Sequence, residues 1–139
     1  MTEQDVVRQL MPLVREVTGA REDQVRMESI LMSDLGAESI DLLDLSFLIE
    51  ETFDITIEAD EFERQARQHI PGGVYEVNGC LTEQALQELQ RALPEVPAGL
   101  LRPGLKKIEV PSILTVAVFV HLIERKLAEK TGEIESAER

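Results

Sequence analysis

Residues 39–53 read Ser-Ile-Asp-Leu-Leu-Asp-Leu-Ser-Phe-Leu-Ile-Glu-Glu-Thr-Phe and carry two apolar stripes at helical spacing. A helix advances about 100° per residue, so Leu42, Leu45, Ile49 and Phe53 share one side, which is expected to face a core. Ile40, Leu43 and Phe47 form a second stripe, displaced toward Ser39. One helix in a small bundle buries one stripe and has the other to spare. On spacing alone the second stripe reads as ordinary core. Aromatic residues make up only 4% of the chain and there is no Trp, so Leu, Val and Ile must build the interior. That composition leans toward helices, where Leu packs well.

The rest of the chain supplies further helices around this one. Val6, Leu10, Leu13, Val14 and Val17 fall on one face of a helix over 2–17, which Gly19 ends. A loop over 20–38 holds Ile30, Leu31 and Leu35, candidates to tuck under the helices. A third helix is expected over 58–69, with Phe62, Ala66 and Ile70 at spacings of four. Pro71-Gly72-Gly73 breaks it. Residues 74–77 alternate like a short strand and Asn78-Gly79 is a turn signal. Thr82 reads as the N-cap of a helix reaching about Leu93, with Leu81 and Leu86 placed for a hydrophobic staple. Residues 95–104 are loop. Residues 107–110 are expected to be a second short strand, pairing with 74–77. Pro111-Ser112 is expected to open a last helix ending near Lys130, and 131–139 to form a polar, mobile tail. The expected fold is all-α, with room for a small two-stranded β element, in a single domain over 1–130.

The 139 residues include 14 Lys and Arg against 27 Asp and Glu, a net charge of −13. Such a surface repels polyphosphate and anionic membrane, so no nucleic acid and no stable membrane insertion are expected. A protein with a basic patch is the natural partner, although acidic charge also serves plain solubility. Cys80 is the only cysteine, which rules out an intramolecular disulfide and suits a reducing compartment. No secretory signal is expected from the first residues, and the apolar run over 113–123 is shorter than the about 20 residues a membrane span needs. A cytoplasmic monomer is expected.

The chemistry is concentrated in Asp34-Leu-Gly-Ala-Glu-Ser-Ile-Asp-Leu-Leu-Asp-Leu, residues 34–45. Gly36 allows a tight bend before a helix. Ser39 then lies at a helix N-terminus, where free N–H groups and the helix dipole favour an anion such as a phosphodiester. On physics alone a plain N-cap serine is the commoner reading. The stretch Leu35-Gly36-Ala37-Glu38-Ser39-Ile40-Asp41 resembles the attachment motif of acyl carrier proteins, whose usual form is Asp-Ser-Leu preceded by Leu-Gly-Ala. The helix that follows resembles that family's second helix. The resemblance covers about residues 2–60 and the last helix, 110–130. It implies a carrier-type helical bundle in which Ser39 holds phosphopantetheine and a thioester on the arm holds an acyl chain. It also implies loading by a phosphopantetheinyl transferase and no catalytic activity.

Two departures stand out. Glu38 and Ile40 replace the commoner Asp and Leu. In addition, 62–106 appears as an insert where the family runs almost directly into its last helix. The insert reads as ordered, suited to cap a bulkier chain or to restrict docking. The resemblance also gives the spare stripe a use, because the family's second helix docks on basic patches of partner enzymes. Here Ile40, Leu43 and Phe47 are flanked by Glu50 on one side and by Asp44 and Glu51 on the other, with Asp41 beside the serine and all four carboxylates expected to be exposed, the anatomy of a transient interface.

Other functional readings find less support. His69 and Cys80 are too few for a metal site. His121 reads as a partly buried core histidine. An enzyme with Cys80 as nucleophile and His69 or His121 as base has no supporting spacing. A helical interaction domain that kept the carrier fold without the arm is the main alternative. The expected cargo pathway is a specialised fatty acid, lipid or polyketide one.

Overall fold

The structure, a computed structural model, describes residues 1–138, with side chains described through 131. It is a helical bundle with one tiny hairpin. α1 (Glu3–Thr18) starts at a capping box in which the Thr2 hydroxyl accepts from Asp5 N–H, and it ends at Gly19 in the left-handed conformation. Its buried face is Val6, Leu10 and Val14, while Leu13 and Val17 are half-buried. α1 packs against α2 (Ser39–Phe53) and α5 (Val116–Glu138). α2 buries Leu42, Leu45, Ile49 and Phe53, the stripe expected to face the core. Lys130 on α5 donates to both the carbonyl and the carboxylate of Asp54, the residue that caps the C-terminus of α2, at 2.9 and 2.6 Å.

α5 begins later than Pro111-Ser112. Residues Lys107–Ile113 form a 3-10 turn, and Thr115 caps the helix by accepting from Val118 N–H at 3.3 Å. The free N–H groups of its first turn find the 20–38 loop. Val116 N–H donates to Ser29 O at 3.0 Å and Ala117 N–H to Met27 O at 2.9 Å. These bonds satisfy donors that a buried helix start would leave orphaned. They also fix the loop, with Leu31 fully buried and Ile30 and Leu35 half-buried, as the segment that delivers Ser39. At its other end α5 continues past the expected stop at Lys130 to Glu138. The expected mobility of 131–139 falls on residues whose side chains, from 132 onward, and whose last position lie outside the described ones.

α3 (Glu61–Arg67) is shorter than the expected 58–69. Residues 58–60 form a turn instead, with Glu58 N–H donating to the Glu61 carboxylate at 3.1 Å. The strand pairing also differs from expectation. β1 (Glu76–Val77) pairs antiparallel with β2 (Cys80–Leu81), not with 107–110. Asn78 and Gly79 both take positive φ, 52° and 83°, as a two-residue hairpin turn requires, so the nearer partner closes first. Residues 105–107 lie along the other edge of β2, with Leu81 N–H donating to Leu105 O and Lys107 N–H to Gly79 O, both at 2.9 Å. The Lys106 N–H bond to the Glu109 carboxylate at 2.9 Å turns the chain after Lys107 into its 3-10 form rather than a strand.

α4 (Glu83–Ala92) is capped by Thr82, whose hydroxyl accepts from Ala85 N–H at 3.2 Å and donates to Val74 O at 2.6 Å. It packs on α3. Leu86, Leu89 and Leu93 join the same continuous buried cluster as the α1, α2 and α5 core. No helix among the described residues is long and apolar enough to cross a membrane.

Candidate functional site

Gly36 carries φ 75°, a conformation that costs an L-residue with a Cβ about 1–2 kcal/mol. This bend, with Ala37 N–H bonded back to Leu31 O at 3.0 Å, presents Glu38 as the N-cap of α2 and Ser39 as its first helical residue. Ser39 is therefore not the N-cap. The cap position belongs to Glu38, whose N–H donates to the Asp41 carboxylate at 2.8 Å. Ser39 is exposed, and its hydroxyl has no hydrogen-bond partner among the described residues. The N–H groups of Ser39 and Ile40 have no backbone partner among them either. An exposed hydroxyl stands beside unpaired N–H donors at the positive end of a helix dipole.

Ser39 borders a cavity of about 720 Å³. Leu42, Leu43 and Phe47 of α2 form one wall and Ile57 and Phe62 another. Val110, Leu114, Phe119 and Leu122 close the side made by the 3-10 turn and α5. Tyr75 and Lys107 line it too. The cavity is mainly apolar, with carboxylates near its edges, Glu50 and Glu63 among them.

Tyr75 is 2% exposed and held on several sides. The Arg67 guanidinium lies over its ring, 4.5 Å from the centroid. Glu63 holds Arg67 at 2.8 Å and Lys107 at 2.9 Å, and Lys107 also reaches Glu76 at 3.6 Å. Burial opposes ionisation of Glu63, but the hydrogen bonds and charges of Lys107 and Arg67 outweigh it and hold the carboxyl below the usual range. Lys107 is raised by the same Glu63 contact. Burial, aided by the Glu63 charge, pushes the Tyr75 hydroxyl up to about 12.

The second apolar stripe of α2 is on the surface. Ile40, Leu43 and Phe47 are 61%, 52% and 58% exposed. The expected acidic rim divides. Asp44 and Glu51 are exposed, whereas Asp41 and Glu50 are half-buried and already engaged. Asp41 caps α2, and the Glu50 carboxylate accepts from Ile57 N–H at 2.8 Å, pinning the loop that leaves the helix. The expectation that all four are exposed is corrected accordingly.

The remaining candidates are dispersed. Cys80 sits half-buried in β2. His69 lines a separate polar cavity with Arg64 and Arg91. His121 is not a core residue. It is the exposed position in an otherwise buried run of α5, with its Nδ1 2.5 Å from the Glu95 carboxylate. Glu3 and Glu124 lie near it, but surface carboxylates gather this way without a metal.

Residues 8–67 match the family described as a phosphopantetheine attachment site. Over 66 residues the chain is 33% identical to an acyl carrier protein of Borrelia garinii subsp. bavariensis, an alignment covering 45% of this chain and 82% of that protein. The chain belongs to the acyl carrier protein family. Members of this family are carriers rather than enzymes, and their cofactor is covalently attached phosphopantetheine. No solved structure matches the chain. The family match ends at 67 and so leaves out Tyr75, α4 and α5. Sequence reasoning missed Tyr75 as a site residue, and the one signal for it was that it is the only tyrosine in the chain.

Proposed function

We propose that this acyl carrier protein holds its cargo as a thioester on a phosphopantetheine arm joined to Ser39. The observation that carries the reading is the placement of Ser39: an unpartnered, exposed hydroxyl on the first residue of α2, at the rim of an apolar cavity. The arm's phosphodiester would meet the unpaired N–H groups of the helix start. A chain on the arm's sulfur would find the cavity within reach. The exposed stripe Ile40, Leu43 and Phe47, rimmed by Asp44 and Glu51, suits basic patches on the phosphopantetheinyl transferase and on acyl-processing enzymes. The 62–106 segment belongs to the same domain, since its buried leucines share one core with the carrier helices. We place the protein in the cytoplasm, in a specialised fatty acid, lipid or polyketide pathway.

The test is loading. Coenzyme A and a phosphopantetheinyl transferase should add one arm to the wild-type chain and none to Ser39→Ala, read by intact mass. An arm on Ser39→Ala would move the site elsewhere. A wild-type chain that no transferase modifies would favour an armless interaction domain.

A further inference from the structure

A buried tyrosine hydroxyl ordinarily finds a hydrogen-bond partner. Tyr75 is almost wholly buried, but its hydroxyl is not among the sealed, unpaired polar atoms: it meets solvent, has no protein partner among the described residues, and belongs to a residue lining the cavity that begins at Ser39. Its position is fixed in advance. Arg67 lies over the ring, Glu63 ties Arg67 to Lys107, and the Tyr75 carbonyl accepts from Thr82 N–H at 3.0 Å. Tyr75, Thr82 and Lys107 lie beyond the family match, while Glu63 and Arg67 lie at its end.

We infer that Tyr75 makes the cavity selective for acyl chains bearing an oxygen along their length, its hydroxyl donating a hydrogen bond to a keto or hydroxyl oxygen of the cargo. The inference rests on the reading of Ser39 as the arm's attachment site. A saturated chain entering the cavity would displace water from the hydroxyl and leave it unpaired, whereas an oxygenated chain replaces that water with a bond. The hydroxyl remains protonated, and so a donor, far above neutral pH, because burial raises it to about 12. The wall is mainly apolar, and its other charged donor, Lys107, is held by Glu63 and Glu76, so the Tyr75 hydroxyl distinguishes positions along a chain as well as chain types.

The experiment loads wild type and Tyr75→Phe from synthetic coenzyme A thioesters. The cargoes are an octanoyl chain and octanoyl chains bearing a keto or hydroxyl group near the thioester or at the far end. Cleavage by hydroxylamine is measured relative to the same thioester on coenzyme A, because a chain drawn into the cavity shields its thioester. In wild type at least one oxygenated chain should be cleaved about fivefold more slowly than octanoyl, the effect of one hydrogen bond of ordinary net strength. Tyr75→Phe should remove that difference, in part by slowing cleavage of the octanoyl thioester, because no hydroxyl is left for a saturated chain to strand. Equal protection of all chains in wild type, or a difference that survives in Tyr75→Phe, overturns the inference while loading itself upholds Ser39. Failure of the wild-type chain to take the arm overturns the Ser39 reading, and the inference with it. Should Tyr75→Phe lose its fold, the single tyrosine, isotopically labelled in wild type, gives one NMR ring signal. It should move with the oxygenated chain and not with octanoyl, and the same movement with both counts against the proposal.

Discussion

Glu63 shows how a single side chain holds the site together. It accepts from Arg67 and Lys107, and through Arg67 it steadies the ring of Tyr75. Its folded pKa is depressed below the ordinary 4.5. Its contribution is therefore complete above the unfolded value and is lost as pH falls through the lower folded one. Near-UV circular dichroism, which here reports the lone tyrosine together with four phenylalanines, should change as acid reaches that range. Glu63→Gln should flatten the change, and an unaltered acid profile would show that Tyr75 is held without Glu63. The helix start at Ser39 was legible in the sequence because its signal is local: bend, serine and helix lie within a few residues. Tyr75 was not, because its partners come from α3 and from residue 107, and no periodicity in one chain announces a meeting of that kind.

At the scale of elements, helical spacing separates the two stripes of α2, but on spacing alone the second reads as core; it is exposed, as the resemblance to the carrier family implied. What spacing does not show is which acidic residues are already in use. Asp44 and Glu51 are free to face a partner, while Glu50 anchors Ile57. Asp44→Lys with Glu51→Lys should slow loading by a transferase severalfold at low salt, and the deficit should shrink as salt rises, with thermal stability within about 0.5 kcal/mol of wild type. Glu50→Ala should do the reverse, costing about 1 kcal/mol in denaturant unfolding and sparing the loading rate. Equal loading by the double variant across several partner enzymes would remove α2 as the docking face. The strand pairing was misread for an energetic reason: Asn78-Gly79 offers a closure of two residues, against which a partner at 107–110 competes poorly. The cap Thr82 and the stop at Gly19 were legible from local chemistry, whereas the true start of α5 depended on loop carbonyls from residues 27 and 29.

For the whole molecule, the question is whether the part beyond the family match is built into the carrier or merely attached to it. An isolated helix as short as α4 is marginal in water, so its order has to come from packing. Leu89 is fully buried in the common core. Leu89→Ala should cost about 2–5 kcal/mol and lower a single cooperative transition. Amide exchange over 83–93 should be slow in the armless protein, and fast exchange there would separate the segment from the carrier core and remove its claim on the cargo. These expectations all depend on the arm, and the arm can be looked for directly. Protein isolated from its native cell, digested and sequenced by mass spectrometry, should carry phosphopantetheine on the peptide that contains Ser39, with an acyl group on part of the population. An unmodified Ser39 in protein drawn from actively growing cells, or an arm found on any other residue, would contradict the account.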